Sequence, residues 1–372
     1  MKTFFIQNPL DVSPVAETLG ACDLDPEIKS ILILSCDKDH TPKTDIDLIL
    51  KRLNKPVFGG LFPELIYQGQ RKQSGMIVVG LYKETKTLLF EGNNSEEQIY
   101  ELISEKFKDD NPEGKSIFLF TDALHFNKTG LIDSLYNYFG MFPAYIGGGA
   151  GSLSFENIPS IYSNEGLVQS SAIIGLYDGS ISIGVDHGYT AISDSFKVTE
   201  SVNNQIISLN WKPAMEVYQY VVEKHSGKLF KKSEFGDFVK SYPFGINKVD
   251  SQMVVRDPFM EKDGSIFTLD AVEQGSYINI VYAKEQNLVE GAGLAKAYAQ
   301  NNIRNQNSGS IFVIDCITRS LFLDENFHKE LNALDPENVA FGALTLGEIA
   351  NFGNSYLEIY NKTAVVGIFE ND

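Results

Sequence analysis

Three cysteines in 372 residues, Cys22, Cys36 and Cys316, are too few and too widely spaced for a disulfide framework, and no C-x-x-C pair suggests a zinc knuckle. No uncharged apolar run is long enough to span a bilayer. Nor does "MKTFFIQNPLDV" make a secretory signal, because Asn8, Pro9 and Asp11 cut its apolar stretch short. Positive charge is scarce. Against 49 Asp and Glu stand 31 Lys and Arg, and the net charge of −18 works against nucleic acid and anionic membranes, which carry the same sign. H-E-x-x-H, G-x-S-x-G and acidic metal clusters are missing as well, so no metal is expected. These absences imply a soluble, cytoplasmic protein, without a nucleic-acid or membrane partner. At this length about two or three domains are expected, and 43% hydrophobic with 22% charged residues is ordinary globular material.

What is present is repetition. "SILILSCDKD" from Ser30, "SIFLFTDALH" from Ser116 and "SIFVIDCITR" from Ser310 are short apolar runs rich in β-branched and aromatic residues, the mark of buried strands. Helical spacing follows each one. Ile46, Ile49, Leu50 and Leu53 follow the capping candidate Thr44; Leu131, Leu135 and Phe139 form the second stripe; Phe327, Leu331 and Leu334 form the third, behind Asp324. A second strand with a glycine turn comes next, in "PVFGGLFPE", "PAYIGGGAG" and "VAFGALTLGE". From Ser30 to Gly59 is 29 residues, from Ser116 to Gly147 31, and from Ser310 to Gly342 32, so the three copies keep one spacing. A third strand closes each copy, starting near Ser74, Ser170 and Lys362.

Three copies of one order imply internal duplication. The expected fold class is α/β (mixed α+β): repeated β-α-β-β units with the first two strands parallel across a right-handed crossover, forming mixed sheets flanked by helices. Between copies two and three, "KPAMEVYQYVVEKHSG" reads as a helix with Pro213 in its first turn and Gly227 past its end. A meander of strands and a second helix follow. The boundary is expected near Trp211–Lys212, giving domains 1–211 with two units and 212–372 with the meander and one unit.

Ligands of α/β units collect beyond the carboxyl ends of parallel strands. Six residues on from each serine stand Cys36, Asp122 and Cys316; nine on stand Asp39, His125 and Arg319. "FGALTLGE" has the glycine spacing of a phosphate loop in Gly342 and Gly347, but Glu348 occupies the lysine position. Arg319 as a fork for a carboxylate and Glu348 as an acceptor for an ammonium group would suit an amino-acid-like zwitterion. A direct Arg319–Glu348 ion pair is the structural alternative. In "GGGAG", Gly148 and Gly149 are candidates for backbone contact with an anion, and Arg256 for a second positive group. Cys316 with His328 as base is the nucleophile candidate, against a buried thiol acting as a small apolar residue.

"SILILS", "FGGLFPE", "IGGGAG" and "DHGYTAISDSFKVTES", then "VVRDPFMEKDGSIFTLDAVEQGSYINIVYA", "SIFVIDCITR" and "FGALTLGEI", resemble the FIST family (F-box and intracellular signal transduction), as a FIST-N followed by a FIST-C domain. The resemblance runs over nearly the whole chain from about Ser30. It implies a sensory domain that binds a small ligand such as an amino acid and signals through a separate partner, such as a kinase or cyclase, and not an enzyme. Three alternatives come with it: a haem-bearing nitric-oxide sensor with His187 as axial ligand, an adaptor of ubiquitin-ligase type, and a Cys316-dependent enzyme on an amino acid. "FGGLFPE" departs from the Cys-Ser-Thr type of turn found in the first FIST-N repeat.

Overall fold

The computed structural model describes residues 1–230, 235–248, 252–303, 308–351 and 356–370. Its body is three copies of one unit, each built around a six-stranded mixed sheet. In unit one the opening strand Ser30–Cys36 runs parallel to the second strand Val57–Phe62 and antiparallel to the returning strand Met76–Leu81. Unit two repeats this with Ser116–Asp122, Ala144–Ala150 and Ser171–Tyr177. Unit three does so with Ser308–Cys316, Phe341–Thr345 and Ala364–Glu370.

Each unit begins earlier than its serine. A lead strand pairs with the unit's own returning strand: Lys2–Ile6, Thr85–Glu91 and Ile181–Asp186 in turn. A helix then precedes each opening strand, Val12–Leu24, Glu96–Phe107 and Glu285–Asn301. The meander and the helix Ala214–Ser226 therefore lie inside unit three, between its lead strand and first helix. They carry a nine-stranded sheet of their own. Strand pairing crosses the Trp211–Lys212 position, since Ile181–Asp186 joins a sheet whose other members include Ala364–Glu370.

Alternation along the opening strands explains their unbroken apolar character. Leu32 and Leu34, Phe118 and Phe120, and Phe312 and Ile314 face one shared core. Ile31 and Ile33, Ile117 and Leu119, and Ile311 and Val313 face the opposite way, each set into its own unit's helices. Both faces are covered, so no polar face is needed. The shared core centres on an aromatic cluster in which Phe118 packs on Phe58, Tyr177, Phe312 and Phe369 at ring separations of 5.4–6.1 Å. Helix starts shift slightly from expectation: Thr44 lies within the first turn of Lys43–Leu50, and Pro213 is the N-cap of Ala214–Ser226. Gly227 stops that helix in the left-handed conformation, at φ 69°.

The repeated glycines lie within the second strands and not at turns. Gly59 is in register with Ile33, Gly147 with Leu119 and Gly342 with Val313. A Cβ at these positions would sit 1.8, 1.7 and 1.8 Å from the partner's carbonyl oxygen. The opposite edge of each second strand receives a hairpin from another unit. Unit two's hairpin, 161–168, pairs beside Gly59, unit three's paired strands Glu348–Ala350 and Glu358–Tyr360 beside Gly147, and unit one's hairpin, 64–72, beside Gly342. The exchange is cyclic.

Substituting Gly147→Ala or Gly342→Ala should cost at least about 3 kcal/mol or abolish soluble protein. Gly20→Ala, on the helix Val12–Leu24 with no atom within 4 Å of the new Cβ, should instead stabilise by about 0.5–1 kcal/mol. Chemical denaturation of the three variants measures both effects, and tolerance of Gly342→Ala would refute the steric account.

Candidate functional site

The carboxyl ends of the opening and second strands of unit three gather a sealed polar cluster. Cys316 ends the opening strand, Arg319 lies in the short helix Ile317–Leu323 behind it, and Glu348 starts the hairpin. Arg319 is buried completely, with every nitrogen engaged. Nε donates to Glu330 Oε1 at 2.8 Å and lies 3.2 Å from Asp315 Oδ1. Nη1 donates to the carbonyls of His187 and Lys362, and Nη2 to that of Leu288, at 2.9–3.1 Å. The expected fork for a ligand carboxylate is thus spent on the protein itself. Nor does Arg319 form the alternative ion pair with Glu348, because Asp315 and Glu330 take that place.

Two buried carboxyls on one guanidinium cannot both be charged cheaply. Burial, and then the adjacent Glu330, drive the Asp315 carboxyl well above its ordinary range. Asp315 Oδ2 and Glu330 Oε2 have no hydrogen-bond partner. Burial would lower Arg319, but Glu330 and Asp315 more than reverse this and hold it charged.

Glu348 accepts from Thr345 Oγ1 at 3.0 Å and from the Thr363 N–H at 3.2 Å. Burial pushes its carboxyl up to about 8, opposed by those donors and the Cys316 thiol. Burial, with Glu348 next, raises the Cys316 thiol well above the usual range. That disfavours the thiolate a nucleophile needs. His328 is not beside it; it lies exposed, its ring bonded to the Glu325 carbonyl.

The remaining candidates are largely structural. Gly148 and Gly149 are strand residues, not an anion-binding turn: the Gly149 N–H donates to Gly347 O at 2.8 Å, and Gly148 is in register with Glu348. Gly347 has φ 100°, which allows the tight turn before Glu348. Gly342 serves the close strand approach described above. Arg256 donates to the carbonyls of Ala271, Val255 and Ile359. His125 sits against the buried Asp122, 3.3 Å away, and lines an open cleft with Glu91 and Ser170. In unit one, Cys36 lies near Glu64 as Cys316 lies near Glu348, and burial raises its thiol to about 12.

His187 does not suit a haem iron. Its Nδ1 accepts the Tyr189 N–H at 2.9 Å, and the ring also bonds the Met253 backbone, so both nitrogens are occupied. Burial lowers its pKa, with Arg319 adding to the effect and Asp186 opposing it. The adjoining cleft, about 420 Å³, is lined by Asp186 and Glu290 rather than by a broad apolar slot. Among the described residues, no group of three His, Cys, Asp or Glu is placed to hold a metal ion.

Sequence reasoning missed two features. One is a pair of lysines held on buried carboxylates: the buried Lys362, at φ 53°, is 3.1 Å from Asp257, and the partly buried Lys128 is 2.5 Å from Asp270, which also accepts from Asn361. The other is a cleft of about 1020 Å³ in the inserted region, between the segment 191–196 and one face of the helix Ala214–Ser226. Its floor is Ile192, Phe196, Val217 and Val221; its walls carry Lys212 and Lys224 against Asp194 and Glu216. The period-four series Glu216, Tyr220, Lys224, which leaves Val217 and Val221 on the adjoining face, was the available signal.

The body is thus repeated β-α-β-β units, and the region inserted in the third carries a large mixed-charge cleft. The FIST N domain model matches residues 30–212 and the FIST C domain model residues 214–351. The chain belongs to the FIST family, whose domains are associated with signal transduction and small-ligand sensing. No curated protein matches it. No helix among the described residues is long and apolar enough to cross a membrane.

Arg319→Met should cost about 3–5 kcal/mol, because it strands Asp315 and Glu330 without a cation, whereas Arg319→Met combined with Asp315→Leu and Glu330→Leu should recover most of that. Denaturant titration distinguishes the two, and a cost below about 1 kcal/mol for the single change would show that the network is dispensable.

Glu348 predicts a pH dependence. Its folded pKa is raised, so the native state holds a proton that the unfolded chain has released above about 4.5. This contribution to stability is therefore greatest at low pH and is lost as pH rises through about 8. Melting temperatures of Glu348→Gln and wild type, compared from pH 6 to 9, should move in the variant's favour by a few degrees. A constant difference would contradict the raised pKa.

Proposed function

We propose that the protein is a small-molecule sensor whose ligand is amino-acid-like and lies in the cleft of the inserted region, with the occupied state read by a separate signalling partner such as a kinase or cyclase. The observation that carries this reading is the cleft itself. Its volume of about 1020 Å³ is ample for a small ligand, and it combines an apolar floor with charges of both signs. Lys212 and Glu216 are 3.6 Å apart and partly neutralise each other. Lys224 and Asp194 have no ion-pair partner among the described residues, and are the better matches for a carboxylate and an ammonium group. The unit-three strand ends support the reading less well, because Arg319 and Glu348 are satisfied internally.

The position of the cleft supports a sensory role. The strand Thr190–Ala191 pairs with Tyr277–Tyr282, and the preceding loop holds His187, whose carbonyl receives Arg319. One short segment thus joins the cleft to the body of unit three.

Titration calorimetry with a panel of L-amino acids tests the proposal. At least one should bind with unit stoichiometry, and Lys224→Gln and Asp194→Asn should each weaken it roughly tenfold, the value of one charge-assisted hydrogen bond. Absence of binding across the panel would overturn the amino-acid reading.

A further inference from the structure

The sequence has one tryptophan, Trp211, and it is 85% exposed. With Asn210 it forms the two-residue turn between the strands Gln205–Leu209 and Lys212–Pro213, where Leu209 pairs directly with Lys212. Both turn residues have positive φ, 49° at Asn210 and 66° at Trp211. A tight hairpin turn of the type I′ class demands this, and asparagine followed by glycine is its usual sequence. Asparagine tolerates the first position; at the second a large side chain is crowded against its own backbone, a penalty glycine avoids.

Hydrogen bonds hold the turn in this conformation. The Asn210 side chain accepts the Lys197 N–H at 2.9 Å, and the Asn210 N–H donates to the Lys197 carbonyl at 2.9 Å. The Trp211 N–H donates to Thr199 Oγ1 at 3.0 Å, and that hydroxyl is 2.7 Å from Ser208 Oγ. The backbone is fixed while the indole stands in water. Packing within the chain gains little from an indole so placed.

Its location gives it a use. Asn210 and Lys212, its two chain neighbours, line the large cleft, so the backbone of Trp211 is anchored at its rim. Tyr220, 65% exposed, lines the cleft from the helix. One exposed aromatic side chain thus flanks the apolar floor, and a second is carried on the turn between two lining residues. We infer that Trp211 determines the specificity of this cleft, and that the ligand is a small molecule with an aromatic ring, an aromatic amino acid in particular, whose ring the indole covers. This rests on the amino-acid reading above. A ring suits the site better than an alkylammonium or guanidinium group, which would lose hydration against Val217 and Val221. Stacked or edge-to-face contact with an aromatic partner adds attraction beyond area burial.

Because Trp211 is the sole tryptophan, its emission reports on the cleft directly. L-Phenylalanine, L-leucine and L-lysine would be titrated by tryptophan fluorescence and by calorimetry in parallel. The expected result is a saturable blue shift with L-phenylalanine, at a midpoint matching calorimetry and at least tenfold below that of the other two. Trp211→Gly should melt at or above the wild-type temperature, since glycine suits the turn, yet bind L-phenylalanine at least tenfold more weakly. Binding of L-phenylalanine that leaves the emission unchanged, or survives intact in Trp211→Gly, would overturn the role of Trp211 while leaving the cleft as a binding site. Stronger binding of leucine or lysine would overturn the aromatic class. If none of the three gives heat while a non-aromatic amino acid does, the ring proposal alone fails, whereas binding of tyrosine alone would uphold it; if no amino acid binds, both readings fail.

Discussion

Three close approaches of backbone to backbone, at Gly59, Gly147 and Gly342, set the architecture. At each, a neighbouring carbonyl occupies the space a Cβ would need. One edge of the glycine strand then lies against its own opening strand, and the other accepts a hairpin from a different unit. Without that approach the sheets would lose both the unit's internal pairing and its link to the next unit. The shared aromatic core around Phe118 forms only where three such sheets converge.

Arg319 performs a comparable service in polar terms. It ties the loop at His187, the helix at Leu288 and the start of the last strand at Lys362 to one guanidinium. A buried charge of this kind adds little net stability over an apolar replacement, but it penalises any arrangement that leaves its partners unpaired. Its role is to fix position. The inserted region, which joins the body on either side of these attachments, is held in one setting relative to unit three.

Much of the fold was legible because the repeats differ in sequence but not in spacing. The serine-to-glycine interval is nearly constant, and the residues between alternate or recur with the periods of strand and helix. The lead strands were harder to assign, since Thr85–Glu91 is half exposed and Ile181–Asp186 is separated from the rest of its unit by about a hundred residues. The hairpin exchange left no local mark. A strand's own sequence records that it is buried, not which unit buries it. The charged candidates Arg319 and Glu348 do meet the ends of parallel strands, yet Asp315, four residues before Arg319, and Glu330, eleven after it, claim the guanidinium. The cleft was less visible still, because its walls come from a loop, a turn and one face of a helix.

Cyclic exchange of hairpins also orders events on the ribosome. The first sheet can close once Val168 has emerged, because its last hairpin belongs to unit two. The second waits for Tyr360 and the third for Glu370. The hairpin Glu64–Lys72 is made early, but the strand it pairs with, Phe341–Thr345, is made some 270 residues later. Throughout that interval the nascent chain carries an unpaired strand edge. That edge belongs to Glu64–Tyr67 and begins with Glu64, in an ion pair with Arg71 of the outer strand "QRK", and such charged residues discourage pairing with other chains before the proper partner arrives.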